Sequence, residues 1–141
     1  AFRVMRRYPR LCDGGSIGIP TWFYGHEPAT PFATHIAKYF ENSIREDGLL
    51  ALAKGGVIYA PGSAGTMQEI FQDGAQNHYE TFGFASPMIF FDTAYWQSQM
   101  PVYPLLKSLT EQGRYRNLML SITDDVDFAV REILSFVQYK K

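Results

Sequence analysis

The chain has 141 residues, 46% hydrophobic and 16% aromatic, which supplies enough apolar surface for one folded domain and excludes a disordered chain. Its formal net charge of −1 offers no basic footprint to a nucleic-acid polymer, and no apolar run reaches the ~20 residues of a membrane-spanning helix. Cys12 is the only cysteine, so an intrachain disulfide is excluded and a cytoplasmic setting is expected.

Residues 1–10 carry Arg3, Arg6, Arg7 and Arg10 and read as a helix tail with its exit loop, a solvated basic face rather than a nucleic-acid patch. That helix has no visible start, so the chain is expected to lack an N-terminal part of its parent protein. Ser16-Ile17-Gly18-Ile19-Pro20 follows Gly14-Gly15 and reads as a short buried strand ended by proline. The loop at 21–30 holds Trp22, Phe23 and Tyr24, aromatics that either pack or stack on a base. Thr30-Pro31 reads as the N-cap and first position of a helix, with Phe32, Ile36, Tyr39, Phe40 and Ile44 at helical spacing on its core face. Arg45 follows Glu41 by one turn, the spacing of a surface ion pair worth a few tenths of a kcal/mol. Gly48 is expected to interrupt that helix, and residues 49–54 read as a further helical turn or two.

The most informative stretch comes next. Val57-Ile58-Tyr59-Ala60, between Gly55-Gly56 and Pro61-Gly62, reads as a fully buried strand of a parallel sheet. A small-residue turn leads into a helical pattern over about 65–79, apolar at Met67, Ile70, Phe71, Gly74 and Ala75. Strand, glycine-rich turn and helix start together offer free backbone N–H groups and a positive helix end to an anion such as phosphate. An ordinary reading stands beside that one: Thr66-x-x-Glu69 also fits a capping box, and Pro and Gly are common turn residues.

After a loop at 80–86, Pro87-Met88-Ile89-Phe90-Phe91 reads as a third strand ending at Asp92. Residues 95–113 read as largely helical, with Pro101 and Pro104 near the start of the main portion. A fourth strand is expected at 118–122, and Thr123-Asp124-Asp125 caps a last helix with Phe128, Ile133, Leu134, Phe136 and Val137 apolar. Strands alternating with helices predict an α/β fold, an open, mostly parallel, doubly wound sheet with helices on both faces. All four strands would then end on one edge, where open α/β sheets bind ligands, beside residues 20–22, 61–66, 92–93 and 123–124.

Other chemistry finds little footing. His26, His35 and His78 lack metal-ligand spacing and no metal site is expected. There is no G-x-S-x-G elbow, no dinucleotide fingerprint and no lysine placed for pyridoxal phosphate, so no cofactor is expected.

Pro61-Gly62-Ser63-Ala64-Gly65-Thr66-Met67-Gln68-Glu69 resembles the P-G-G-x-G-T-x-x-E motif of the LOG (LONELY GUY) family, Rossmann-like nucleotide-binding proteins once labelled lysine decarboxylase-like. That family also carries an arginine on the preceding helix, where Arg45 stands. The resemblance covers roughly residues 16–137. It departs from the motif at Ser63, which replaces the second glycine, and the family's N-terminal strand and glycine-rich loop have no counterpart.

The resemblance implies a phosphoribohydrolase that cleaves a nucleoside 5'-monophosphate, AMP or a cytokinin ribotide, into free base and ribose 5-phosphate. It implies that Pro61, Gly62, Ser63, Ala64, Gly65 and Thr66 form the phosphate site and that Glu69 acts at the ribose. Arg45 would neutralise the phosphate or assist the departing base. A homodimer or larger homo-oligomer is expected on the same ground. The alternative is a non-catalytic nucleotide- or molybdenum-cofactor-binding module of the same superfold; a structural assembly domain, favoured only by the aromatic content, is a third.

Overall fold

A computed structural model describes residues 2–7, 15–22 and 28–139. The expectations resting on Arg10, Cys12, Gly14, Phe23, Tyr24 and His26 lie outside those residues. The chain divides into two compact units, Ala1–Leu49 and Leu50–Lys141.

In the first unit, α1 (Phe2–Arg7) leaves Arg3, Arg6 and Arg7 exposed, with Arg6 and Arg7 in the last turn where cations complement the helix end. β1 (Ile17–Gly18) pairs in parallel with β2 (His35–Ile36), and a further parallel bridge joins Thr21 to Tyr39. The helix expected from Thr30 is therefore corrected: residues 30–41 are a turn followed by extended backbone. Pro31 follows the first residue of a turn closed by Ala33 N to Thr30 O at 3.1 Å, where its fixed φ suits a turn as well as a helix start. Past it, the amides of His35, Ala37 and Tyr39 donate to the carbonyls of Ser16, Gly18 and Pro20 at 3.0–3.1 Å. Phe32, Ile36 and Phe40 recur every four residues, and four is close to one helical turn and also a multiple of the strand period. The spacing alone does not separate the two.

The helix begins only at Asn42. α2 (Asn42–Leu52) runs unbroken through Gly48, so the expected interruption there is also corrected. A Cβ at Gly48 would meet nothing within 4 Å, so no contact demands glycine there. Its cost in the helix is about 1 kcal/mol relative to alanine, too little to end it.

The second unit is an open parallel sheet in the order β3 (Val57–Tyr59), β4 (Pro87–Phe91), β5 (Met119–Thr123), with Tyr59, Phe90 and Ile122 in register. The single four-stranded sheet of the sequence reading is thus corrected to a three-stranded sheet and a separate two-stranded pair. α3 (Ala64–Tyr79) connects β3 to β4, a π-helical turn (Tyr95–Gln99) and α4 (Val102–Glu111) connect β4 to β5, and α5 (Val126–Tyr139) follows. This is the expected parallel α/β, Rossmann-like arrangement in a small sheet.

Alternation along β4 sorts the layers. Met88 and Phe90 enter a core with Ile70 of α3, Trp96 of the π-helical turn, and Val102 and Leu106 of α4. Ile89, also fully buried, points to the opposite face, and α5 packs on β4 and β5. Each large side chain so buried contributes about 1.5–3 kcal/mol. Gly56, at φ +122°, leads into β3 where an added Cβ would lie 2.6 Å from Ile133 Cδ1 and 2.9 Å from the Pro87 carbonyl. Only glycine fits both the backbone and the space.

The helix expected over 95–113 is broken in two. Met100 N closes the π-helical turn on Tyr95 O at 2.8 Å, and Met100 then turns to φ −131°, ψ 81°. The proline after it disfavours the helical region for Met100, which ends the first segment. Pro104 sits in the first turn of α4, where no amide is needed. The cap expected on the last helix is present: Asp127 N donates to Asp125 Oδ1 at 2.8 Å, and Asp125 N to Thr123 Oγ1 at 2.9 Å. No helix among the described residues is long and apolar enough to cross a membrane.

Candidate functional site

The turn between β3 and α3 carries most of the predicted site. α3 starts at Ala64 with Ser63 as N-cap, and the Ser63 side chain makes no capping bond. Met67 N to Ser63 O, at 3.0 Å, is the first helical hydrogen bond, so the amides of Ala64, Gly65 and Thr66 have no acceptor inside the helix. The capping-box reading of Thr66 and Glu69 is corrected by this geometry, because Thr66 lies inside the first turn and Glu69 one turn deeper.

Thr66 instead stands over Gly62. A Cβ at Gly62 would fall 2.1 Å from Thr66 Oγ1 and 2.8 Å from its Cβ. The turn closes this tightly only because position 62 has no side chain. Pro61, Ser63, Ala64 and Gly65 are exposed, whereas Gly62, Thr66 and Glu69 are half-buried. An exposed run of uncapped amides at the positive end of a 16-residue helix suits an anion.

The turn is held from behind by residues that sequence reasoning missed. The Tyr59 hydroxyl donates to Asp73 Oδ2 at 2.5 Å, both groups buried. Burial pushes the Asp73 carboxyl up to about 6, although the Tyr59 hydrogen bond pulls it back. Burial, then the charge and hydrogen bond of Asp73, then the charge of Glu69 push the Tyr59 phenol up, so it stays a neutral donor. Asp73 falls on the core stripe between Ile70 and Gly74, and a carboxylate at such a position is the signal that could have singled it out.

Two aromatics just past β4 complete the backing. Tyr95 donates its hydroxyl to the Gly62 carbonyl at 2.5 Å, and the Trp96 indole N–H is shared between Tyr59 O at 3.2 Å and Phe91 O at 2.9 Å. Asp92, at φ 86°, takes the Tyr95 amide on Oδ1 at 3.0 Å, and Asp124 takes the Thr93 amide at 2.7 Å. Residues after all three strands of this sheet therefore meet at its carboxyl edge, as the parallel arrangement requires.

Arg45 and residues 20–22 belong to the first unit. Arg45 Nη1 donates to Ile19 O at 3.2 Å, and Nη2 lies 3.9 Å from Oε1 of Glu46, which replaces Glu41 as its expected ion-pair partner. Glu46 is 1% exposed and also accepts from Asn42 Nδ2. Trp22 stacks on Phe40 with centroids 5.7 Å apart, and Lys38 Nζ sits 4.3 Å from the Trp22 ring centre. A cavity of about 260 Å³ in this unit is lined by Gly18, Ile19, Pro20, Pro28, Ala29 and Thr30.

No protein-family model matches the chain, and no curated protein matches it. Pro61, Gly62, Ser63, Ala64, Gly65, Thr66 and Glu69 come together on one turn and the helix it opens, and Arg45, on α2 in the first unit, contacts Ile19 and Glu46. Chemically, the turn can hold an anion, and Glu69 sets a carboxylate one helical turn beyond it.

Proposed function

We propose that the chain is a nucleoside 5'-monophosphate phosphoribohydrolase acting on AMP or a cytokinin ribotide. The observation that carries this reading is the uncapped start of α3 at the carboxyl edge of a parallel sheet, with Glu69 one turn further on. The 5'-phosphate rests on the amides of the turn and the Thr66 hydroxyl. The C1'–N bond then breaks through a state with oxocarbenium character, water adds to C1', and the base leaves with a proton. Glu69 stabilises the positive charge at the sugar and orients the water. The family resemblance of residues 61–69 supports the same assignment.

A second reading, a non-catalytic nucleotide- or molybdenum-cofactor-binding module, is favoured by Ser63, which stands exposed where the resembled motif has its second glycine. Incubation with AMP and cytokinin monophosphates, with ribose 5-phosphate as the readout, separates the two. Glu69→Gln is expected to lower turnover by about 100-fold or more while nucleotide affinity changes little. Nucleotide binding without product in either form selects the module, and no product and no binding by the folded protein removes both readings.

A further inference from the structure

We infer that Tyr95 is a positioning residue for the phosphate turn, its hydroxyl fixing the direction of the Gly62–Ser63 peptide. The inference rests on the proposed nucleotide site. In a planar trans peptide the C=O and the following N–H point in opposite directions. Tyr95 holds the Gly62 carbonyl, so the Ser63 N–H points away from Tyr95, toward the exposed side of the turn. Released from that bond, the peptide can rotate, and its carbonyl oxygen would then present negative charge to an incoming phosphate.

Tyr95 is itself fixed on several sides. Its amide is held by Asp92 Oδ1, its ring meets the edge of Trp96 at 4.9 Å and 89°, and Asp92 N donates to Thr123 O at 3.2 Å. The neighbouring Trp96 indole holds the carbonyl of Tyr59, the last residue of β3. The connection after β4 thus grips the phosphate turn at its entry and at its middle, and a π-helical turn is a common device where a backbone must be re-aimed near a site.

Tyr95→Phe tests this because it removes one oxygen and keeps the ring. Losing a single hydrogen bond of this kind corresponds to about a 5- to 10-fold effect on a ligand that depends on it. Affinity for AMP and for ribose 5-phosphate is expected to fall by about that factor, with affinity for adenosine and the melting temperature little changed. If the protein turns over AMP, KM rises with kcat nearly constant. Tyr103→Phe, whose ring packs on Phe90 at 5.5 Å, is the control and leaves both affinities as they are. Equal losses for adenosine and AMP in Tyr95→Phe, or none for AMP, overturn the inference alone. A wild-type protein that binds AMP no more tightly than adenosine overturns the phosphate site itself, whatever the variant does.

Discussion

Asp73 makes the stability of this chain depend on pH in an unusual direction. The residue is 3% exposed, and burial pushes its carboxyl from an ordinary 3.8 to about 6, while the Tyr59 hydroxyl donates to it. Between those values the folded chain holds a proton that the unfolded chain has released, so raising the pH through the window lowers stability. The contribution is complete below the unfolded value and is lost as pH passes about 6; a displacement of this size corresponds to about 3 kcal/mol. Asp73→Asn keeps an oxygen to accept from Tyr59 and removes the charge, at a cost of about 1–2 kcal/mol for the added amide hydrogens. Relative to wild type, the variant should be about 1–2 kcal/mol more stable near neutral pH and less stable in acid, so the two curves cross. Urea unfolding followed by tryptophan fluorescence across about pH 4.5 to 7.5 measures the difference curve, which cancels the other carboxylates. Parallel curves over that range would refute the reasoning, since Asp73 would then not be titrating against its burial.

Gly62→Ala drives a Cβ into Thr66 and should cost about 1–3 kcal/mol in urea unfolding, with AMP affinity falling as the turn opens. Adding Thr66→Ala removes the 2.1 Å clash but not the 2.8 Å one, so the double variant should recover only part of the loss, a coupling that a double-mutant cycle reads directly. Asn77→Ala strips the partners from both backbone groups of Ser86, N–H to Oδ1 at 2.9 Å and Nδ2 to the carbonyl at 3.1 Å. With both groups buried, the expected loss is about 2–4 kcal/mol by denaturation, and a loss under about 1 kcal/mol would mean that water reaches the loop before β4.

What could be read from the chain and what could not divide along a physical line. β4 was readable to the residue because Pro87 to Phe90 are all buried, and a continuously buried strand leaves an unbroken apolar run. The cap on α5 was readable because Thr123 and Asp125 act on amides two residues beyond themselves. Residues 30–41 misled because the four-residue recurrence of Phe32, Ile36 and Phe40 satisfies both periods, and the pairing that decides for a strand comes from 16–20. The turn before α3 shows the same division within one motif. Its glycines announce a turn, but the helix starts at Ala64, two residues before Thr66, Thr66 packs over Gly62, and the Gly62 carbonyl is held by a hydroxyl 33 residues away. Tyr59 and Asp73 likewise meet across a strand and a helix, 14 residues apart. A chain with the same nine-residue motif and phenylalanine at position 95 would therefore read the same and still fold into a helix start. It would lack the bond that aims the Ser63 amide, and on the reading proposed here that aim is what separates a phosphate site from an ordinary turn.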